Sequence, residues 1–200
     1  LYHKISQFIA VSILPVALVI ALFSYEIILL WTQNPETAGK THLLVSILVC
    51  GTAINGLMNM PYALQLAFGW TKLSFYKTLI SVILLVPLII YMTTHYGAVG
   101  ATIVWFVLNM GLLFLEIPIM HYRLLRGEMC RWYWQDVSVP LLSAFIIAGL
   151  GRLLFTTATS YFLMIFNLII ISILTLGITA ITTPVTREWL FVQFSKIKSL

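Results

Sequence analysis

Long apolar runs separated by short polar breaks organise this chain. An α-helix needs about 20 residues to cross the hydrocarbon core of a bilayer. Six runs reach that length, roughly Phe8–Trp31, His42–Phe68, Ser74–His95, Ala98–Met120, Val137–Thr157 and Tyr161–Thr183. None shows the alternating ten-residue pattern of a membrane barrel strand, and hydrocarbon otherwise admits only helices. The pattern therefore predicts an all-α polytopic bundle of six transmembrane spans. Gln33-Asn34-Pro35 and Gly97 are turn signals between runs. The longest and most charged connection lies between His121 and Asp136. Three regions follow: residues 1–136, with four spans and a cytoplasmic loop; residues 137–183, with two peripheral spans; and a tail over 184–200.

The spans are not uniformly apolar. At about 100° per residue, Gly51, Asn55, Met58, Tyr62 and Gln65 fall within a sector of roughly 80°, with Asn59 beside it. Pro61 removes a backbone hydrogen bond there and is expected to kink the helix. This face suits either a wall of a hydrated cavity or hydrogen-bonded glue between helices, worth about 1 kcal/mol per residue. In the fourth span Thr102, Trp105, Asn109 and Glu116 share a face. Glu116 is placed either to bind a proton or cation in a cavity, or to reach the interface and pair with Arg123 or Lys77. Glu26, near the end of the first span, invites the same two readings. Arg152 is placed to attract a phosphate or to reach lipid headgroups. The third and sixth spans are almost purely aliphatic and read as peripheral. Small residues stand at helix-packing spacing in Gly97 and Ala101, and in Ala144 and Ala148.

Composition agrees with lipid as the solvent. Apolar residues make up 61% of the 200, and charged residues only 8%, against about 25% in soluble domains. The few charges fix an orientation. One side receives Lys4, Lys72, Lys77, Arg123, Arg126, Arg131, Arg187, Lys196 and Lys198, and the other only Lys40 and Arg152. By the positive-inside rule the first side, with both termini, is cytoplasmic. The net charge of +5 then reflects topology and anionic lipid, not nucleic acid. Two stretches read as interfacial: Arg126 to Asp136, where Arg131 precedes Trp132, Tyr133 and Trp134, and the tail from Arg187 to Lys198, where Leu190, Phe191, Phe194 and Ile197 share a face.

Chemistry-bearing constellations are sparse. His3, His42, His95 and His121 all fall at span ends, and Asp136 is the only aspartate. There is no nucleophile elbow, phosphate-cradling glycine loop or metal-ligand spacing, so neither an enzyme nor a cofactor is expected. Cys50 lies in an apolar run and Cys130 in a polar loop, a poor pair for a disulfide. The chain opens at Leu1 without Met or a leader, and is read as the C-terminal piece of a longer protein.

Several local patterns stand in order. They are Ile13-Leu14-Pro15-Val16-Ala17 with Trp31-Thr32-Gln33-Asn34; Pro61-Tyr62 with Ala67-Phe68-Gly69-Trp70-Thr71-Lys72-Leu73; and Tyr96-Gly97-Ala98-Val99-Gly100-Ala101, continuing through Asn109 and Pro118 to His121, Arg123, Leu124, Leu125, Gly127 and Glu128. Together, over roughly residues 8 to 140, the set resembles the polysaccharide-biosynthesis O-antigen flippases, Wzx-like, of the multidrug/oligosaccharidyl-lipid/polysaccharide exporter superfamily. The last two spans match only in hydrophobic pattern. The resemblance implies part of the C-terminal lobe of an inner-membrane transporter that flips undecaprenyl-pyrophosphate-linked oligosaccharide by alternating access. It implies as partners that lipid-linked oligosaccharide, membrane lipids, an N-terminal lobe of the same chain, and a polysaccharide polymerase with glycosyltransferases. Asn55, Asn59, Tyr62, Gln65, Trp105 and Asn109 become candidates for the cavity wall, and Glu116, Glu26 and Arg152 for ion coupling or phosphate binding. A cation-coupled small-molecule exporter of the same superfamily is the alternative, followed by a membrane-embedded glycan-modifying enzyme.

Overall fold

A computed structural model describes residues 1–155, 160–189 and 192. Among these, every regular element is a helix. The first apolar run is split. Helix α1 (Tyr2–Leu22) ends at Phe23, whose φ of −116° and ψ of 24° leave the helical region, and α2 (Ser24–Thr32) resumes at once. The second run starts at Pro35, earlier than the predicted His42, because Asn34 caps it. The Asn34 Oδ1 accepts from the backbone amides of Glu36 at 2.9 Å and Thr37 at 3.2 Å, and Pro35 fills the first turn, where no amide donor is needed.

Helices α3 (Pro35–Leu57) and α4 (Asn59–Ala67) meet at Met58. The break lies where Pro61 acts. Proline has no amide proton to give to the carbonyl four residues back, Leu57, and its ring crowds that carbonyl. The Met58 amide accordingly bonds the Asn55 carbonyl three residues back, at 3.1 Å.

Helix α5 (Thr71–Leu124) runs for 54 residues through Gly97, whose φ of 62° and ψ of −151° are not helical. That region of backbone space is essentially reserved for glycine. The two arms fold back so tightly that a Cβ at Gly100 would collide with the carbonyl of Met92. The predicted third and fourth spans are thus the two arms of one hairpin.

The connection read from sequence as an interfacial loop is partly helical. A short α6 (Met129–Arg131) passes into a π-helical turn, Trp132–Ser138, and then into α7 (Val139–Leu154). Trp134 faces outward, but Trp132 and Asp136 are fully buried. Helix α8 (Tyr161–Thr182) returns along α7 and α1. Its inner face is not aliphatic. Thr175, Thr179 and Thr183 are buried, their hydroxyls donating to carbonyls one turn back. The predicted Thr157, and Leu190, Phe191, Phe194, Lys196, Ile197 and Lys198 of the tail, lie outside the described residues.

Helix α1 occupies the centre, against α3, α7 and α8. Two apolar clusters mark the ends of the bundle. One joins Tyr2, Leu57, Met58, Ile117, Met120 and Trp132, and the other joins Val19, Phe23, Ala148 and Leu168. Five helical stretches have the length and apolarity to cross a membrane: Tyr2–Leu22, Pro35–Ala67, Thr71–Leu124, Met129–Leu154 and Tyr161–Thr182.

Candidate functional site

The polar faces noticed in the sequence meet along one seam, where α3 and α4 pack against the second arm of α5. Close approach begins at Gly51, where a Cβ would come within 2.8 Å of the Trp105 ring. The Trp105 indole N–H donates to Thr52 Oγ1 at 3.4 Å. About one turn further, the Asn55 amide donates to Asn109 Oδ1 at 2.8 Å, and the Asn109 amide donates to the Trp105 carbonyl at 2.8 Å. Beyond the break at Met58, the Gln65 amide donates to Glu116 Oε1 at 2.8 Å. Lys77, from the first arm of α5, lies 3.1 Å from the same carboxylate and 5.4 Å from the centre of the Tyr62 ring.

Burial divides these residues into two classes. Asn109, Gln65 and Glu116 are sealed inside the interface, where hydrogen bonds offset part of the loss of water and Gln65 Oε1 is left without a hydrogen-bond partner among the described residues. Thr52, Asn55, Asn59 and Tyr62 are exposed. Their spacing of three, four and three residues makes one continuous stripe of polar groups on the outer side of α3 and α4. Asn59 takes no part in the bonds of the seam.

The candidate charges are paired. Glu116, which the sequence left open between Arg123 and Lys77, pairs with Lys77. Arg123 instead stacks over Trp70, 4.4 Å from the ring centre. At the opposite end of the bundle, the buried Glu26 meets Arg152 at 2.5 Å, and the guanidinium also lies over the Phe23 ring at 5.3 Å. Each pair is neutral as a unit, which lowers the cost of holding it in a poor solvent.

An apolar cleft of about 410 Å³ opens between the two arms of α5, with Lys77 and Glu116 at one end. Among the described residues, no group of three or more His, Cys, Asp or Glu is placed to hold a metal ion. Both cysteines are free.

A second polar cluster escaped the sequence reading. At the end of the bundle holding the start of α1, His3 and Gln7 converge on Asp136, with Tyr2, His121 and Glu128 beside them. One signal was available, since His3 and Gln7 are spaced one helical turn apart. Their partner depends on the π-helical turn, which nothing in the hydrophobic pattern announces. Comparisons with family models, with curated proteins and with solved structures find no match to this chain.

Proposed function

We propose that this chain forms part of a transporter that flips lipid-linked oligosaccharide, of the undecaprenyl-pyrophosphate type, across the cytoplasmic membrane. The observation that carries the reading is the exposed stripe of Thr52, Asn55, Asn59 and Tyr62 along the end of α3 and the start of α4. In hydrocarbon, unsatisfied polar groups cost several kcal/mol each. Asn59 and Tyr62, whose side chains make no hydrogen bond among the described residues, therefore belong against water or a polar ligand, whereas Thr52 and Asn55 are partly satisfied by Leu48, Trp105 and Asn109. Amide, hydroxyl and aromatic groups are the ones that hydrogen-bond and stack on sugars. The ordered motifs from Ile13 to Glu128 give the same direction by resemblance.

In this reading the α5 hairpin crosses twice and the chain has six spans. The end holding Lys4, Lys72, Arg123, Arg126 and Arg131 faces the cytoplasm, and an N-terminal lobe supplies the facing wall. The polymerase and glycosyltransferases of surface-polysaccharide synthesis act before and after it.

Complementation of surface-glycan export by the full-length protein tests the reading. A sugar headgroup is held by many weak hydrogen bonds, each worth about 1 kcal/mol net. Single Asn55→Ala, Asn59→Ala or Tyr62→Ala variants keep partial export. The triple variant loses nearly all of it at normal abundance, with lipid-linked oligosaccharide accumulating on the inner leaflet. If Glu116→Gln alone abolishes export while the triple variant transports normally, the ion-coupled exporter replaces the glycan reading.

A further inference from the structure

We propose that His3, Glu128 and Asp136 form a proton-binding site that fastens the start of α1 to the connection between α5 and α7. The argument is one of hydrogen counting. Asp136 Oδ1 accepts from the Gln7 amide at 2.8 Å. The orientation of that amide is fixed, because Gln7 Oε1 accepts from the backbone amide of Val185 at 3.2 Å. Asp136 Oδ2 faces His3 Nδ1 at 2.5 Å, and the other ring nitrogen, Nε2, faces Glu128 Oε2 at 3.1 Å. A neutral imidazole has one N–H and one lone pair. Either neutral tautomer would turn a lone pair toward a carboxylate oxygen. Both contacts are satisfied only if the three groups together hold one further proton, on the ring or on a carboxyl; the site as proposed holds it on the ring, which faces a carboxyl oxygen at each nitrogen.

The neighbouring His121 shows the contrast. Its Nδ1–H donates to the Ile117 carbonyl at 2.9 Å, and its Nε2 accepts from the Tyr2 hydroxyl at 3.4 Å. A neutral ring satisfies both bonds, so His121 needs no second proton. Among the described residues, Arg131 lies 3.5 Å from Glu128 on an exposed side, and the exposed Lys4 follows His3 on α1. Arg187 and Glu188, beyond α8, are exposed.

Burial makes the proton count matter. The Asp136 side chain is 0% exposed and that of His3 is 17% exposed, whereas Glu128 is 41% exposed. Asp136 cannot exchange its partner for water without opening the contact between α1 and the π-helical turn, and π-helical turns recur at functional positions. Glu26 and Glu116 each have a permanently charged partner. Asp136 is instead faced by an imidazole, a proton carrier and not a fixed cation. Loss of the proton leaves one ring N–H for two carboxyl groups, so the link from His3 to either Asp136 or Glu128 loosens. A role in coupling transport to protons rests on the transporter reading, whereas the site itself does not.

Selective nitrogen-15 labelling of histidine in the full-length protein, in lipid nanodiscs at neutral pH, tests the site directly. The spectrum is independent of export, so failure of the flippase reading would leave it standing. The His3 signal, identified by its loss in His3→Asn, is expected to show N–H character at both ring nitrogens. His121 should show it at Nδ1 alone. In the Glu128→Gln, Asp136→Asn double variant, His3 should lose one of its two N–H signals while His121 is unchanged. A neutral His3 in the unmodified protein overturns the proposal without any variant. So does a His3 spectrum that ignores the double substitution.

Discussion

Lys77 and Glu116 stand 39 positions apart in one helix, yet the lysine Nζ lies 3.1 Å from both oxygens of the carboxylate. A straight helix would hold them about 58 Å apart. The pair closes because Gly97 reverses the chain, and it ties the first arm of α5 to Gln65 on α4. Removing one partner of a buried pair leaves an uncompensated charge, whereas removing both does not. Lys77→Met strands a carboxylate that is almost fully buried and should cost roughly 3 kcal/mol. Glu116→Gln leaves the more accessible ammonium and should cost less. Thermal melts in detergent should rank Lys77→Met lowest, with the Lys77→Met, Glu116→Gln double variant recovering most of the loss. A double variant no better than Lys77→Met would show that the pair is not a unit.

Gly97 carries a backbone conformation closed to other residues. Gly97→Ala should lower stability by about 1–3 kcal/mol, read as a lower melting temperature and lower abundance in the membrane. Gly69 is also at positive φ, and a Cβ at either glycine would meet nothing within 4 Å; because Gly69 joins α4 to α5 and not two arms packed on each other, it should respond less. Equal losses at both sites would mean that tight reversal is not what Gly97 supplies.

Cysteine labelling distinguishes the stripe from the seam. In the full-length protein, cysteines at Asn59 and Tyr62 should react quickly with a water-soluble maleimide. Cysteines at Asn109, which is buried, and at Leu84, which is exposed but set among apolar neighbours, should react slowly. Fast reaction at Leu84 would place water where the proposal places lipid.

The six-span topology rests on the nine-to-two bias of Lys and Arg and is tested separately. Reporter fusions after Asn34 and Thr159 should report the periplasm, and fusions after Gly69 and Gly127 the cytoplasm. A periplasmic signal after Gly127 would remove the six-span arrangement.

The helical class and most span centres were legible in the sequence, because about 20 apolar residues in a row leave hydrocarbon few alternatives. The faces of Asn55 and Gln65, and of Asn109 and Glu116, were legible too, since helical periodicity places them without knowledge of the partner. What periodicity cannot give is which face meets which. It found the polar side of α3 and α4, but not that Gln65 is sealed while Asn59 is open. It read Trp132 with Trp134 as one interfacial anchor, because a π-helical turn shifts the phase that a regular helix would impose. His3 and Asp136, 133 positions apart, are joined only by the fold.

The interruption at Met58 divides the seam mechanically. Above it, α3 is pinned to the second arm of α5 through Asn55 and Asn109, and below it α4 is pinned to the same arm through Gln65 and Glu116. With the Leu57 carbonyl deprived of its donor by Pro61, bending there has one helical hydrogen bond fewer to oppose it. A bend at that joint would load the Asn55–Asn109 clasp and the Gln65–Glu116 clasp separately, where an unbroken rod would load them together.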